Sequence, residues 1–213
     1  TMKSEEISGS QEILEGIVAD PLSAQRALQV LYNADTAFRN IADLTILLDN
    51  LLGILMEVIP ASRGFVFLLP RDTTPLVPYA RRPVGVEQSD AELVVSQTII
   101  QTAVRQKSSI ISSDALVDER FLHSKSVAAL DVRSAMCAPL WNKDQVIGII
   151  HVDSPMLTNC FTLNDLDLLT ALANYAAVAV ERARLNQKIV AEEKKRERLG
   201  RFLSPQVTQR ILN

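Results

Sequence analysis

Apolar residues recur at helical spacing from the amino terminus to Ile59, and a proline divides the pattern. Up to about Ala42 it predicts an amino-terminal arm of two helices, with the break at Asp20-Pro21. Over residues 43–59 it predicts a stronger helix that ends before Pro60. The apolar face of this helix is broad and comprises Leu44, Leu47, Leu48, Leu51, Leu52, Leu55 and Val58. We therefore expect it to pack into a core.

From Arg63 the pattern changes to short apolar runs bounded by turn residues, which is typical of β-strands. Strands are predicted over residues 64–69, 76–81 and 109–112. Between the last two, Ser96 is the predicted N-cap of a helix that reaches Lys107.

Residues 113–133 are predicted to form a long loop with a short helix at about 125–130, and long loops over a sheet often carry function. Residues 134–141 and 145–152 follow as a predicted hairpin of central strands. Gly148 in the second of these strands lets another part of the backbone approach closely.

One long helix is predicted from Thr162 to about Leu199, with Thr162 and Asp165 as a capping box. At about 50 Å it is longer than a domain of this size covers, so its far half must project or meet a partner. One heptad register contains Ala171, Tyr175, Val178, Leu185, Ile189 and Leu199, with the charged interruptions Arg182, Glu192 and Arg196. The register predicts a coiled coil that is weak by itself.

Composition places the chain among soluble globular proteins: 213 residues, 47% hydrophobic, 22% charged, with a net charge of −3. No apolar stretch predicts a membrane span, and the charge balance favours neither nucleic acid nor membrane as a partner. Two cysteines make no disulfide framework, so a cytoplasmic location is expected. Because Thr1 precedes Met2, we expect neighbouring segments, among them an effector.

Residues with catalytic potential are few. His123, in the polar loop, is a better candidate for a functional histidine than His151. His151 takes one position in the alternating pattern of a predicted strand and is expected to be hydrogen-bonded or half-exposed. Cys137 also lies in a strand, where packing is the expected role of its thiol. The loop carboxylates Asp114, Asp118 and Glu119 lack calcium-loop spacing and are expected to form caps and turns. We expect no catalytic residue, no metal site and no cofactor.

The order helix, two strands, helix, strand, loop, two strands and long helix resembles the GAF domain, a sensor module. The similarity covers about residues 43–185, and its most specific parts are Asp118-Glu-Arg-Phe121, Arg133-Ser-Ala-Met-Cys-Ala-Pro-Leu140, Val146-Ile-Gly-Ile-Ile150 and Phe161-Thr-Leu-Asn-Asp165. The resemblance implies an α+β fold with a central antiparallel sheet flanked by helices. It divides the chain into a helical arm (1–42), a GAF sensor (43–185) and a coiled-coil linker (186–213) to an output domain.

In this family the long loop and a helix over the sheet enclose a small-molecule pocket. The resemblance therefore implies a ligand site whose candidate residues are Asp114, Phe121, His123, Asp131, Arg133 and Ser134. The signature of the cyclic-nucleotide-binding members falls on Asp153, Ser154, Phe161, Asp165 and Leu166. Of these, Phe161 and Asp165 match, and the capping pattern explains both, so the ligand stays unidentified, with a cyclic nucleotide as one candidate. Neither Cys137 nor Cys160 lies where bilin-binding relatives carry their cysteine.

Residues 199–207, followed by Ile211-Leu212, resemble the connector ahead of class III adenylate and guanylate cyclase domains that carry GAF sensors. The resemblance implies a regulatory sensor that forms a parallel homodimer and signals through its last helix to a cyclase. Three alternatives remain open at this point. They are a structural dimerisation module without ligand, a GAF sensor with a different output, and a small enzyme similar to the methionine sulfoxide reductases of GAF fold. The last requires cysteines clustered in the pocket loop, where neither Cys137 nor Cys160 lies.

Overall fold

The computed structural model describes residues 21–38, 41, 43–69, 78–83, 96–143 and 145–202. Within these ranges the helices are α1 (Pro21–Phe38), α2 (Leu44–Val58), α3 (Gln97–Gln106), α4 (Lys125–Ala129) and α5 (Leu163–Phe202). The strands are β1 (Arg63–Leu68), β2 (Pro78–Pro83), β3 (Ile110–Ser112), β4 (Ser134–Asn142) and β5 (Gln145–Ser154). The helix predicted before Asp20 and the connector from residue 203 onward lie outside the described residues.

The five strands form one antiparallel sheet in the order β2-β1-β5-β4-β3. The predicted β4–β5 hairpin is confirmed, and β1 pairs with β2. Leu140 pairs with Gly148 and Trp141 with Val146, so Ile147 is the extra residue of a β-bulge. The expected close approach at Gly148 is also confirmed, because a Cβ atom there would lie 2.6 Å from the Phe67 carbonyl oxygen.

One face of the sheet packs against α2 and α5, and α1 packs against these two helices, so that together they form the larger core. The pleat directs alternate apolar side chains of β1, β4 and β5 to this face, where they meet the leucines of α2 and the leucine- and alanine-rich first half of α5. Leu47, Leu48, Leu51, Leu52 and Leu55 are fully buried here. The broad apolar face predicted for residues 43–59 is therefore the centre of this core.

The opposite face of the sheet packs against α3, α4 and the loop between β3 and β4. Phe65, Phe67, Cys137 and Ile149 point to this side, and Ile99, Ile100, Ala103, Phe121, Val127 and Val132 cover them. Ser96 accepts the Ile99 N–H at 3.5 Å at the start of α3, which confirms the predicted N-cap.

The long helix α5 has a buried first half and an exposed second half. The Thr162 N–H donates to Asp165 Oδ2 at 2.9 Å and the Asp165 N–H to Thr162 Oγ1 at 3.2 Å, which confirms the capping box. Burial ends at Ala183 and the half-buried Arg184, and every side chain from Leu185 to Glu197 is exposed. The far half of α5 thus projects from the domain, as predicted. None of the described helices is long and apolar enough to span a membrane.

Candidate functional site

A cleft of about 600 Å³ opens at the β3 edge of the sheet. Its walls are the end of β3, the turn that follows, and the loop between β5 and α5. Arg133, directly before β4, completes it. The lining residues are Ile111, Ser112, Ser113, Asp114, Val117, Asp118, Arg120, Arg133, Thr158 and Asn159. Two of the six residues expected to bind a ligand, Asp114 and Arg133, lie here.

One ion pair of the cleft is tightly held. Arg120 donates from Nε to Asp118 Oδ1 at 2.9 Å and from Nη2 to Asp118 Oδ2 at 2.6 Å. Ser112 Oγ donates to the same carboxylate at 2.7 Å, and Arg120 Nη2 also donates to the Ile111 carbonyl at 2.7 Å. The hydrogen bond from Arg120 is the main reason that the pKa of Asp118 falls to about 2. This pair therefore forms a fixed wall that also covers the outer edge of β3.

The second ion pair is loosely held. Arg133 Nη2 lies 3.3 Å from Asp114 Oδ2, and the two side chains are 36% and 18% exposed. Asp114 Oδ1 accepts the Leu116 N–H at 3.2 Å, and this turn matches the expected role of the loop carboxylates. The backbone around Arg133 is anchored, since its N–H donates to the Ser154 carbonyl at 3.2 Å and its carbonyl accepts the Ala115 N–H at 2.6 Å. A fixed backbone therefore carries a guanidinium that stays accessible in the cleft.

The other four expected ligand residues lie outside the cleft lining. Ser134 is buried, donates to the Ser113 carbonyl at 2.9 Å and accepts the Cys160 N–H at 3.4 Å. It therefore connects the turn after β3 to the loop between β5 and α5 without lining the cleft. Phe121 is buried in the second, smaller core, which lies between the sheet and α3, with the Arg120 guanidinium 5.1 Å from its ring centre. His123 and Asp131 are exposed, and Asp131 has a left-handed φ of 48°.

Sequence reasoning did not select Arg120, Thr158 or Asn159 for the site. Arg120 belongs to the Asp118-Glu-Arg-Phe121 motif, so a signal for it was present. Thr158 and Asn159 carry no comparable pattern. They reach the cleft because the Asn159 N–H donates to the Ser113 carbonyl at 2.8 Å, across a long separation in sequence.

A buried ionic cluster lies on the α3 side of the sheet, apart from the cleft. Asp153 binds Arg63 through two hydrogen bonds of 2.6 and 2.9 Å, and its Oδ2 lies 3.0 Å from His151 Nε2. Burial opposes ionisation of Asp153, but hydrogen bonds and charges from His151 and Arg63 lower its pKa overall. Among the described residues, His151 Nδ1 has no hydrogen-bond partner. His151 is therefore the hydrogen-bonded strand residue that its alternation predicted, and it is fully buried.

Neither cysteine lines the cleft. Cys137 is fully buried opposite His151, and burial raises the pKa of its thiol, so it is a packing residue in a form poorly suited to nucleophilic attack. Cys160 is partly buried behind Ser134, and both thiols are free. Within the described ranges, no three histidine, cysteine or acidic side chains come together as a metal site.

Comparisons with solved structures find the same fold repeatedly. The GAF domain of a phosphoenolpyruvate-protein phosphotransferase from Coxiella burnetii superposes with a TM-score of 0.61 at 18% identity, over 78% of this chain and 98% of that one. A free methionine-R-sulfoxide reductase from Neisseria meningitidis, in complex with its substrate, gives 0.59 at 19% identity, over 78% and 95%. A GAF domain/HD domain protein from Geobacter sulfurreducens gives 0.53 at 13% identity, over 71% and 98%.

Curated protein sequences contain no significant match to the chain. The sequence profile of the GAF domain, in contrast, matches residues 41–181, which is well over half of the chain. The five-stranded antiparallel sheet, the helices on both of its faces and the long last helix agree with that assignment. The chain therefore belongs to the GAF domain family.

Proposed function

We propose that this chain is a cytoplasmic regulatory sensor that binds a small molecule in the cleft and transmits its occupancy through α5 to an output domain. In this proposal residues 1–42 are an arm, 43–185 the sensor and 186–213 the linker. The output is a class III adenylate or guanylate cyclase, since residues 199–207, followed by Ile211-Leu212, resemble the connector ahead of such domains. Sensing of this kind requires that the ligand bind two arrangements of the protein with different affinity.

The observation that carries the proposal is the direct connection between the cleft wall and the projecting helix. Thr158 and Asn159 line the cleft, and α5 begins at Leu163. The intervening residues are held at both ends, by the bond from Cys160 to Ser134 and by the capping box at Thr162. A ligand that shifts this wall therefore shifts the start of a helix that continues to Phe202.

The exposed stripe on α5 supports pairing with a second copy of the chain. At the heptad positions Val178, Leu185 and Ile189 the side chains are 68%, 53% and 56% exposed. Two other positions of the register bind α1, because the Tyr175 hydroxyl donates to Asp35 at 2.6 Å and Arg182 donates to the Phe38 carbonyl at 2.7 Å. Leu28 and Tyr32 of α1 are also exposed. We infer a parallel dimer through α5 and α1, since both outputs must leave on the same side.

Sedimentation of matched variants tests the dimer. Ile189→Glu places a charge in the exposed stripe, whereas Val190→Glu places the same charge one position away, at a side chain that is 47% exposed. We expect Ile189→Glu to shift the protein toward monomer and Val190→Glu to leave the dimer intact. A monomeric parent protein at high concentration, or equal effects of the two variants, would contradict this arrangement.

Calorimetric titration tests sensing, after mass spectrometry of denatured protein has established whether a small molecule co-purifies. Cyclic AMP and cyclic GMP are the first probes, followed by a broad metabolite set. Saturable binding that Arg133→Ala removes without loss of fold supports the sensor. If nothing in the set binds, the structural dimerisation module is the better description. Cyclase activity of the longer protein, with and without the bound molecule, then tests the output.

A further inference from the structure

The charges that line the cleft balance. Asp114 and Asp118 contribute two negative charges, and Arg120 and Arg133 contribute two positive ones. A simple anion or cation entering the cleft therefore meets both signs at close range. The wall contributes no net attraction to either, so the cleft selects for how charge is distributed within a ligand.

The two ion pairs differ in how much of their hydrogen-bonding capacity the protein uses. Asp118 and Arg120 share two hydrogen bonds, and Ser112 and the Ile111 carbonyl add one each. Arg133 and Asp114 share one contact of 3.3 Å, and among the described residues the Arg133 guanidinium makes no hydrogen bond. An arginine carries five N–H donors in a fork that matches a carboxylate. The Arg133–Asp114 pair is therefore the one that a ligand can separate.

A zwitterion fits that pair. Its carboxylate would take two hydrogen bonds from Arg133 while its ammonium group binds Asp114, so one loose contact is replaced by charge-assisted contacts at both ends of the ligand. A partly exposed pair held by one contact contributes little to stability, so little is lost when it opens. Val117, which is 68% exposed, and Ile111 add apolar surface to the lining. The volume of about 600 Å³ is in the range of small-molecule sites.

We propose that the cleft binds a small zwitterionic ligand of the α-amino-acid class, with Arg133 on its carboxylate, Asp114 on its ammonium group and its side chain toward Val117. This assignment rests on the proposed sensor function and names the ligand class for the same cleft. A ligand that is only an anion would use Arg133 and gain nothing from Asp114.

Titration of the wild-type protein with the common L-amino acids tests the class directly. For each one that binds, the N-acetyl derivative lacks the ammonium charge and the amide lacks the carboxylate. We expect at least one amino acid to bind saturably and each blocked form to bind about tenfold or more weakly, since a hydrogen bond to a charged group contributes about 1.5–3 kcal/mol. Because these ligands are compared on unaltered protein, the result does not depend on whether a variant folds.

Variants then place the ligand. Arg133→Gln and Asp114→Asn should each weaken binding about tenfold or more. Arg105→Gln, at an exposed arginine in the last turn of α3, is the matched control and should leave binding unchanged.

Three outcomes would overturn the proposal, and they differ in what they imply for the sensor. Binding of phosphate or a cyclic nucleotide that needs Arg133 but not Asp114 would exclude a zwitterion while keeping the sensor. Amino-acid binding that neither variant weakens would move the site elsewhere. No binding of any amino acid overturns the ligand class. Only a failure of the whole metabolite set as well removes the sensor.

Discussion

Replacing Asp153 by asparagine tests whether the buried ionic cluster on the α3 side of the sheet stabilises the fold. The Asp153 side chain is 0% exposed and makes contacts of 2.6 and 2.9 Å with Arg63 and 3.0 Å with His151. An asparagine keeps one acceptor oxygen and turns the other position into a donor, which faces donors of Arg63 or His151. The substitution therefore removes the charge that neutralises Arg63 and breaks at least one hydrogen bond.

The expected loss follows from burial. Removing one partner of a buried ion pair costs about 3–5 kcal/mol of unfolding free energy. Arg63 keeps 22% of its side chain exposed, so water solvates part of the stranded charge and the lower end, about 3 kcal/mol, is expected. For a chain of this size, about 2–4 °C of melting temperature per kcal/mol converts this loss into about 6–12 °C.

Asp49→Asn is the matched control, because Asp49 pairs with Arg82 at 2.8 Å while their side chains are 48% and 43% exposed. We expect it to lose about 1 kcal/mol or less. Urea denaturation at pH 7 followed by circular dichroism measures both variants. Equal losses for Asp153→Asn and Asp49→Asn would refute the reasoning.

Acidification gives a second measure of the same cluster. The pKa of Asp153 is lower in the folded protein than its ordinary value, so its stabilisation is present above the unfolded pKa and is lost as pH falls through the folded one. The difference in unfolding free energy between the wild-type protein and Asp153→Asn should therefore become smaller below about pH 4.

Four further predictions concern single positions. Gly53→Ala should stabilise α2 by about 0.5–1 kcal/mol in urea denaturation, since its Cβ would lie an ordinary 3.5 Å from Arg82. Gly148→Ala should destabilise by about 1–3 kcal/mol in the same assay, because its Cβ would lie 2.6 Å from a backbone oxygen. Thr162→Ala should lose about 1 kcal/mol with the capping box, again in urea. Asp118 has a pKa of about 2, against 3.8 ordinarily, so its contribution to stability should disappear between about pH 4 and 2. In Asp118→Asn the unfolding free energy should therefore depend less on pH in that range.

Most elements could be predicted because their signals are local. Ser96, Thr162 and Asp165 cap helices through bonds to residues within three positions, so their roles are visible in a short window of sequence. The strand and helix periods likewise reflect which side of each element is buried. Boundaries moved by a few residues: β5 continues to Ser154 and α5 to Phe202, where backbone pairing or helix propagation continues past the apolar pattern.

The cleft was harder to predict because its walls meet through distant contacts. Asp114 and Arg133 were expected from family resemblance, and they do line it. Phe121 had the same support but packs into the second core, and His123 points to solvent. No residue pattern distinguishes a polar loop side chain that faces a cleft from one that faces water.

Hydrophobic period, capping chemistry and helix rise are local properties, so they predicted the order of the main helices and strands and the excess length of α5. The class of fold came from the resemblance of that order to GAF domains.

Only the packed structure shows which of the two arginine–aspartate pairs in the cleft is rigid. Arg120 also donates to the Ile111 carbonyl of β3, whereas Arg133 meets Asp114 at one contact of 3.3 Å. Packing also determines that Tyr175 and Arg182 bind α1, whereas Val178, Leu185 and Ile189 of the same heptad register are exposed. These outcomes depend on which groups meet when the sheet, loops and helices pack. An arginine whose hydrogen bonds are completed by a carboxylate and a strand carbonyl is fixed, whereas one without such bonds stays open.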